Sequence, residues 1–536
     1  MSSGEQSSSP ESPLRDTLYR FLWVTMFASE IGAYMQTVGA SWLITSLAPS
    51  PFVVALLQVV ASLSIFLLAL PAGALSDIVD RRKLFLITQY FSLAVAAILS
   101  ILTLGGFTTS SILLVFSFLL GLGFAMSLPV SIVVQTELVP KHKAMAAMTL
   151  FSVAIYIGLG VGPLLGGLVV AAAGPWAVFM LNALSFVGII VFLHRWHKPS
   201  DQKLLPPEHV IGAIRTGLRY MHHSLHVRAL FVRDFALTIC GSALISLLPL
   251  LARNEAGSNS ILFGILVGAF GIGGMLGGLI IVPRIKMVSI EKRVTIATVV
   301  FAVSMAVLSF QHDAITLFVG VFAVGTSLVV TNSSLNFVAY NSVSSWVRTR
   351  VVSVRQLVYW GGVAMGSMMW GIVAETWGIP TALLAASIGL AIGLVTSTRY
   401  KLEPHSDVDM SPSLHWTMPN IMIDIDDHKE GPALVEIEFH IDPARSPEFE
   451  SAMDDVRSLR LRDGAINWGL FHDVENPSRY VETFVSESWT EHLRQHERIT
   501  KADLAIEQHA ISFHIGKDFP RISHLIGENV SKGKRK

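Results

Sequence analysis

Residues 73–83 read "GALSDIVDRRK", and this stretch decides how the chain around it folds. Five of its eleven residues are charged, whereas residues 52–72 before it and residues 84–104 after it carry no charge. An uncharged run of about 18 or more residues is long enough to cross a hydrocarbon core of ~30 Å as a helix. The stretch is therefore predicted to be a polar turn between two membrane-spanning helices.

The composition of the chain also indicates a membrane protein. Of the 536 residues, 52% are hydrophobic and 15% are charged, against about 25% charged residues in soluble globular chains. A formal net charge of zero gives no reason to expect a nucleic-acid partner. The single Cys240 excludes a disulfide framework. The polar N-terminus lacks the features of a signal peptide, so the first membrane helix is expected to be retained.

The hydrophobic pattern predicts an all-α membrane protein with twelve transmembrane helices in two six-helix halves, followed by a soluble α+β domain. The predicted spans are 19–47, 52–76, 84–105, 111–136, 145–172, 176–194, 235–252, 260–282, 294–310, 314–338, 352–374 and 378–398. The expected domains are a disordered cytoplasmic N-terminus at 1–18, an N-terminal half at 19–194, a cytoplasmic central loop at 195–234, a C-terminal half at 235–400, a linker at 401–430, a cytoplasmic α+β domain at 431–518 and a basic tail at 519–536. Within the central loop, residues 211–223 are expected to form an amphipathic helix.

Basic residues set the expected orientation. Up to Lys401 the chain has 24 lysines and arginines. With a cytoplasmic N-terminus, all but Arg253 fall in or beside cytoplasmic segments, as the positive-inside rule requires. We therefore expect a multi-pass protein of the plasma (inner) membrane with both termini in the cytoplasm.

Glycines suggest an internal repeat. At an offset of 204 residues, the glycines at 73, 121, 158, 162, 167 and 174 meet those at 277, 325, 362, 366, 371 and 378. The last four glycines of each set share the same spacing. Two six-helix halves in parallel repeat are the layout of many secondary transporters.

The C-terminal domain shows a β–α–β–β–α–β pattern. Apolar residues alternate in 433–442, which predicts a strand, and two further strands are predicted at 466–474 and 479–488. A helix is predicted at 446–464 and another at 488–510, which begins with a capping box of Ser488 and Glu491. The stretch "ISFHI", residues 511–515, is predicted to be the closing strand.

The stretch at 73–83 resembles the signature loop of the major facilitator superfamily. Gly73, Asp77, Arg81 and Arg82 match that signature, and Asp80 stands in place of its second glycine. The resemblance implies a gating role, in which loop charges pair with charges or helix ends of neighbouring helices. The alternative is a topological anchor with no role in gating.

The stretch "GLGVGPLLGG", residues 158–167, resembles the fifth-helix motif of the same superfamily, which is common in exporters. Its matching residues are Gly158, Gly162, Pro163, Gly166 and Gly167. Small residues every four positions let two helix backbones approach closely, and an internal proline can bend a helix. We expect a hinge here, and static packing is the alternative.

A narrower resemblance covers nearly the whole chain. "GAYMQTVGASWLITSLAPSP", "LNALSF", "MGSMMWGIVAE" and "ESWTEHLRQHERIT" are similar to the transmembrane secretion effector branch, in its enterobactin-exporter-like group. The C-terminal domain resembles the ferredoxin-like dimeric α+β barrels that include antibiotic-biosynthesis monooxygenases. The resemblance implies an exporter of small organic molecules such as siderophores, drugs or hydrophobic metabolites.

Polar residues within the predicted spans are candidates for the transport site. Glu30, Tyr34, Thr37 and Ser41 fall on one helix face, and an intramembrane carboxylate normally faces a cavity or a partner. The functional interpretation of Glu30 is proton coupling or contact with a cationic substrate group. The alternative is a hydrated or salt-bridged carboxylate near the helix end. Further candidates for lining the cavity are Gln58, Asn332 and Asn336.

The C-terminal domain offers four pocket candidates: Trp468, Trp489, His492 and His496. The two histidines lie four residues apart, a spacing that can bind zinc, but there is no HExxH pattern and no third ligand nearby in the sequence. We therefore expect no metal site, and a solvated or interface face is the favoured interpretation.

These observations predict a secondary active transporter, and not an enzyme, that exports small organic molecules by alternating access. The sequence contains no phosphate-binding glycine loop, so protons are the expected coupling ion of this antiporter. The transporter is expected to lie in the lipid bilayer. No catalytic residue and no cofactor is expected. Two alternatives concern the C-terminal domain. It could be a cofactor-independent oxygenase, or a module for homodimerisation or partner docking.

The predicted topology is testable with cysteines placed in a variant that lacks Cys240. Cysteine in place of Ser110 should react with a membrane-impermeant maleimide in intact cells, because the loop before the fourth span is expected outside. Cysteine in place of Ser200 should react only after the cells are opened. Labelling of the Ser200→Cys variant in intact cells would contradict the predicted orientation.

Overall fold

A computed structural model describes residues 13–48, 50–140, 143–196, 225–255, 260–310, 313–341, 343, 345–402, 413, 416, 432–516 and 518–527. These residues form two compact units. The first lies within 1–210, 231–337 and 355–403, and the second within 211–230, 338–354 and 404–536. The amphipathic helix predicted at 211–223 lies outside the described residues.

Twelve long helices run through the part of the chain described up to residue 402. They are α1 (Thr17–Leu47), α2 (Pro51–Ile78), α3 (Arg81–Leu104), α4 (Ser110–Glu137), α5 (Ala144–Ala173), α6 (Pro175–Arg195), α7 (Leu225–Glu255), α8 (Ser260–Leu276, continued by a π-helical turn at Gly277–Ile281 and by Val282–Arg284), α9 (Ile290–Phe310), α10 (Ala314–Asn341), α11 (Ser345–Trp377) and α12 (Ile379–Arg399). The helix α7 begins ten residues earlier than predicted, inside the expected central loop.

Short polar side chains and glycines set the helix ends. The side chains of Asp16, Ser50 and Thr109 accept hydrogen bonds from the first backbone amides of α1, α2 and α4, as N-capping residues do. Gly174 and Gly378 follow α5 and α11 with φ angles of 90° and 88°, a backbone conformation that favours glycine. Each allows the next helix to start at once in a new direction.

Ten of these helices are long and apolar enough to cross a membrane, within the residues described. The helix α1 is not among them, although it forms where the first span was predicted. The last helix has a shorter apolar part, Ile379–Val395. Polar residues of α1 lower its hydropathy, and the cavity described below explains why they are there.

The glycines that suggested a repeat make equivalent contacts in the two halves. A Cβ atom on Gly162 of α5 would lie 2.7 Å from Cβ of Tyr34 on α1. Its counterpart, Gly366 of α11, would meet the carbonyl oxygen of Ile239 on α7 at 2.2 Å. Since α7 and α11 follow α1 and α5 by six helices, the same pair of helices packs closely in both halves.

A second set of glycines joins the halves. Gly167 of α5 approaches Gly264 of α8, where an added Cβ atom would lie 2.8 Å from the neighbouring Cα. The equivalent Gly371 of α11 approaches Ala55 of α2 at 2.7 Å. Each half thus presents its fifth helix to the second helix of the other half.

The second unit contains a four-stranded antiparallel sheet. Its elements are β1 (Ala433–His440), α13 (Ser446–Asp463), β2 (Ala465–His472), β3 (Arg479–Ser486), α14 (Trp489–Arg498), α15 (Lys501–Ile511) and β4 (Arg521–Ile526). The strand order is β2-β3-β1-β4. The predicted alternation of β1 is confirmed, because Val435, Ile437 and Phe439 are buried. They pack against Phe449 and Met453 of α13 in the core of this unit.

Two predictions for this unit are wrong. The closing strand is β4, inside the predicted basic tail, whereas residues 511–515 end α15 and form only an isolated bridge from His514 to Ile441. The helix predicted at 488–510 is broken between α14 and α15. Thr500 caps α15 and shares a reciprocal capping box with Asp503, so the local hydrogen bonds favour a new helix start.

The contact between α5 and α8 has no room for a side chain at Gly271. A Cβ atom there would lie 1.9 Å from the carbonyl oxygen of Leu159, so Gly271→Ala must push the two helices apart. We expect the variant to lose about 1–3 kcal/mol of stability and to melt at a lower temperature in detergent. The matched control is Gly393→Ala, whose new Cβ atom would lie 3.7 Å from Ala236. Equal melting of the two variants would show that this contact is not tight.

Candidate functional site

A cavity of about 400 Å³ lies beside the polar stripe of α1. The four stripe residues Glu30, Tyr34, Thr37 and Ser41 all border it, and so does Gln58 of α2. The stripe therefore faces open space inside the helix bundle. Cavities that bind small organic molecules commonly measure about 300–1,000 Å³.

The cavity wall combines apolar surface with scattered polar groups from both halves of the bundle. Helices α1 to α6 contribute most of the wall, and α7 and α11 contribute Ile245, Ser246, Pro249 and Trp360. The polar residues of the wall beyond the predicted ones are Ser29, Gln36, Gln89, Ser92, Ser117, Ser127, Ser131, Asn182 and Ser246. Such a wall suits an amphipathic organic molecule, which needs apolar contact and a few hydrogen bonds.

The helix-five motif positions the stripe. A Cβ atom on Gly158 would lie 3.1 Å from Cβ of Glu30, and one on Gly166 would lie 3.0 Å from Cα of Met35. With Gly162 against Tyr34, this glycine face brings α5 directly against α1 beside the stripe. The opposite side of α5, with Gly167 and the carbonyl of Pro163, contacts Gly264 of α8. The motif thus serves two interfaces at once.

A hydrogen bond joins Asn182 of α6 to Gln36 of α1, with the amide of Asn182 donating to Oε1 of Gln36. Both side chains are buried and both border the cavity. The sequence does not predict this pair, because Gln36 lies outside the polar stripe formed by Glu30, Tyr34, Thr37 and Ser41. Amide groups at such positions hold helices together in an apolar medium.

A buried ion pair lies in the C-terminal half. Nε of Arg355 on α11 is 3.1 Å from a carboxylate oxygen of Asp234 on α7, and both side chains are 2% exposed. The same guanidinium donates to Oδ1 of Asn336 at 2.7 Å and to Oδ1 of Asn332 at 2.5 Å. The two predicted asparagines are therefore ligands of Arg355 rather than lining residues of the large cavity.

A small cavity of about 30 Å³ adjoins this cluster. Asp234, Asn332, Thr331 and Tyr359 border it, and the volume is enough for about one or two water molecules. By the positive-inside rule Arg355 is expected in or beside a cytoplasmic segment, so the sequence does not predict its pairing with Asp234. Residue types alone cannot reveal it, because its partners are distant in the chain.

The charged loop at 73–83 makes its described contacts within the N-terminal half. Asp80 caps α3 by accepting from the amide of Lys83 at 2.8 Å. Arg81 pairs with Glu137 at the end of α4. Arg82 donates to the carbonyls of Leu193, at 2.7 Å, and His194, at 3.1 Å, near the end of α6. Gly73 and Asp77 lie in the last turns of α2, and nothing is described of their side-chain contacts.

Polar contacts join the two halves where α1 ends and α2 begins. Oγ of Ser50 donates to Oε2 of Glu375 on α11 at 2.7 Å, and the amide of Phe52 donates to the same oxygen at 3.2 Å. Arg253 of α7, the one basic residue predicted on the outer side, donates to Thr45 Oγ1 at 3.0 Å and to Ser46 Oγ at 3.2 Å. These contacts hold the halves together at this end of the bundle.

The four pocket candidates of the C-terminal domain do not form one pocket. Trp468 donates from Nε1 to Glu482 at 3.0 Å, whereas Trp489 is buried and lies 5.3 Å from the ring of His492. The two histidines are 0% and 9% exposed, so the expectation of a solvated face is wrong. Burial, with nearby His496 and His524, lowers the pKa of His492 to about 3, so His492 is neutral near pH 7.

A network of buried charges lies beside Trp468. The guanidinium of Arg460 contacts Glu482 at 3.0 Å and also pairs with Glu507. A cavity of about 10 Å³ adjoins Arg460, which is room for about one water molecule. This cavity is too small for an organic substrate.

Comparison with known proteins assigns the fold and the class. The sequence signature of the transmembrane secretion effector family matches residues 8–532. The staphyloferrin A transporter of Staphylococcus aureus is 22% identical over 403 residues, which cover 74% of this chain and 99% of that transporter. The multidrug efflux pump Tap of Mycolicibacterium fortuitum is 25% identical over 379 residues, covering 68% of this chain and 91% of the pump.

The fold has a counterpart among solved structures. A bacterial homolog of the human lysosomal transporter Spinster superposes with a TM-score of 0.58 at 15% sequence identity. The superposition covers 72% of this chain and 98% of that protein. The helical part of the chain therefore has the fold of a solved membrane transporter.

The buried ion pair generates a stability prediction. Replacing Arg355 by Met leaves Asp234 buried without its cation, which should cost about 3–5 kcal/mol and lower the melting temperature in detergent. The double variant Asp234→Asn with Arg355→Met removes both charges and should recover part of that loss. The control is Arg284→Met at an exposed position, which should melt like the parent. A double variant no more stable than Arg355→Met alone would contradict the pairing.

Proposed function

The chain belongs to the transmembrane secretion effector family of the major facilitator superfamily and is a membrane transporter rather than an enzyme, and from this we propose that it exports small organic molecules by proton-coupled alternating access. The single observation that carries the proposal is the cavity of about 400 Å³ walled by helices of both halves. A site shared by two repeats can be exposed to either side of the membrane as the repeats rock.

The cavity wall supports a particular class of substrate. Its surface is mainly apolar, with hydroxyl and amide groups and the carboxylate of Glu30. An amphipathic molecule with a cationic or hydrogen-bonding group fits such a wall. The named activities of the two relatives, transport of staphyloferrin A and multidrug efflux, agree with export of small organic molecules. We infer that the substrate is a siderophore, a drug or a hydrophobic metabolite.

Glu30 is the proposed coupling residue. It borders the cavity, and its Cβ atom lies against Gly158 on the packed side of α1. An intramembrane carboxylate that faces a water-filled space can gain and lose a proton as access alternates. Gly73, Asp77, Asp80, Arg81 and Arg82 are proposed to act in gating, with Arg81 and Arg82 holding the loop against α4 and α6 of its own half while the halves rock.

The proposed topology has twelve spans, with α1 and α12 crossing the membrane as well. Support for α1 comes from its position, because the polar residues that lower its hydropathy face the cavity instead of the lipid. Its contacts with α5 through Gly158 and Gly162 place it inside the bundle. The distribution of basic residues supports cytoplasmic termini and location in the inner membrane.

For the C-terminal domain we favour a ferredoxin-like dimerisation module over an oxygenase. The strand order β2-β3-β1-β4 and the antiparallel pairing support the ferredoxin-like assignment. The sheet face away from the helices carries apolar residues, with Phe471 59% and Leu525 48% exposed. A second copy of this sheet would cover that face, whereas the small cavity beside Arg460 does not support catalysis.

The proposal is tested by transport into proteoliposomes with an imposed pH gradient. A fluorescent cationic drug and an iron-free siderophore serve as probes, and the parent protein should accumulate at least one of them against its gradient. Glu30→Gln should abolish proton-driven accumulation and retain exchange of the probe down its own gradient, because the amide cannot release a proton.

The matched control is Asp313→Asn in the exposed turn before α10. It should transport like the parent, because its carboxylate only caps a helix. If Glu30→Gln accumulates the probe with the same pH dependence as the parent, Glu30 is not the coupling residue. If the parent transports neither probe under any gradient, the proposal that it exports these classes of substrate is wrong.

A further inference from the structure

Three histidines of the C-terminal domain meet at one point. His492 and His496 lie one turn apart on α14, and His524 lies on β4. One nitrogen from each ring can be chosen so that all three lie within 4.8 Å of one another. The sequence spacing reveals only the first two, because His524 reaches them through the folding of the edge strand.

The sheet register directs His524 toward the helix. His524 is paired with Val435 of β1, and directly opposed residues of antiparallel strands point to the same face. Val435 is fully buried under the helices, so His524 also points to the helical side. The ring of His524 lies 5.1 Å from that of His492 and 5.9 Å from that of Trp489.

A hydrogen bond orients the ring of His492. Its Nδ1 lies 3.4 Å from Oε1 of Gln495, an oxygen that also accepts from Oγ of Ser486 at 3.1 Å. Since a carbonyl oxygen only accepts, Nδ1 carries the hydrogen and Nε2 keeps its lone pair. Metal-ligating histidines typically donate their second nitrogen to a carbonyl or carboxylate in this way.

The distance between the two Nε2 atoms suits a shared metal ion. Nε2 of His492 and Nε2 of His496 are 3.2 Å apart. Two nitrogens bound at 2.0–2.1 Å to a tetrahedral zinc ion lie about 3.3 Å apart. A direct hydrogen bond between the rings would give a similar separation, and the experiment below distinguishes the two.

Aromatic rings surround the cluster. Trp416 stands edge-on to His496 with ring centroids 4.7 Å apart, and Trp489 lies 5.3 Å from His492. His492 and His496 are thereby shielded from bulk water, with 0% and 9% exposure, whereas His524 is partly exposed. Imidazole ligands suit zinc, copper, nickel and iron, and three of them leave one tetrahedral position for water or another ligand.

From this geometry we propose that His492, His496 and His524 form a binding site for a divalent transition-metal ion, with zinc as the ion that fits best. The ion links the edge strand β4 to α14. Because those two elements are distant in the chain, metal binding stabilises the folded C-terminal domain.

The test uses the full-length protein without a histidine tag, purified in detergent, stripped with a chelator and dialysed against zinc. Elemental analysis should find one zinc ion per chain, and zinc should raise the melting temperature by several degrees. Cobalt in place of zinc should produce the intense visible absorption of tetrahedral coordination. His524→Ala should lose all three signals.

Affinity separates a ligand from a structural residue. Removing a residue that only hydrogen-bonds to a metal ligand typically lowers metal affinity by about 10–100-fold. His524 is proposed as a direct ligand, so His524→Ala should weaken zinc binding by at least that much. The control His509→Ala, at an exposed position of α15, should bind like the parent. In chelator, His524→Ala should melt like the stripped parent, which shows that its fold is intact.

Two results would overturn the proposal. If neither the parent nor His524→Ala binds zinc, the histidines are joined only by a hydrogen bond. If both bind zinc with the same affinity, the metal lies at another site.

Discussion

Close backbone contact between helices is the constraint on which the helical unit depends. Where Gly271 passes Leu159, the carbonyl oxygen of one helix occupies the space that a side chain of the other would need. In lipid there is little hydrophobic force between helices, so van der Waals contact at this range supplies much of their association. The equivalent glycines at 162 and 366 repeat the arrangement in each half.

The helical unit separates its polar groups into two kinds of environment. Around Arg355 the ion pair with Asp234 and the hydrogen bonds to Asn332 and Asn336 measure 3.1 Å or less, and the adjoining cavity is only about 30 Å³, which favours a structural role for these groups. Around Glu30 the wall is wide and its polar groups are spaced apart. An ion pair that is already satisfied has no capacity left for a ligand, whereas a carboxylate beside open space can respond to one. This contrast is the physical reason for proposing the stripe of α1, from Glu30 to Ser41, as the transport site.

Features with a local origin were predictable from the sequence. The charged stretch at 73–83 marked a turn between two helices, and the stripe on α1 followed from helical spacing. The predictions that were wrong or missing concern features that depend on contacts between residues distant in the chain. "ISFHI" alternates like a strand, yet the edge of β1 is taken by residues 521–526 instead. Asp234 and Arg355 are 121 residues apart, and no local pattern links them.

Glu375 carries a consequence for motion. Its carboxylate accepts from Ser50 and from the amide of Phe52, so one acidic side chain from one half caps the first turn of a helix in the other. Separation of the halves at this end exposes those donors to water, which replaces the lost hydrogen bonds at small net cost. Opening at this end therefore loses little hydrogen-bond energy from Glu375. A bound molecule that prefers one of two states by about 5.5 kcal/mol can reverse a hundredfold population ratio, so under the proposed alternating access an occupant of the cavity is able to decide which way the molecule opens.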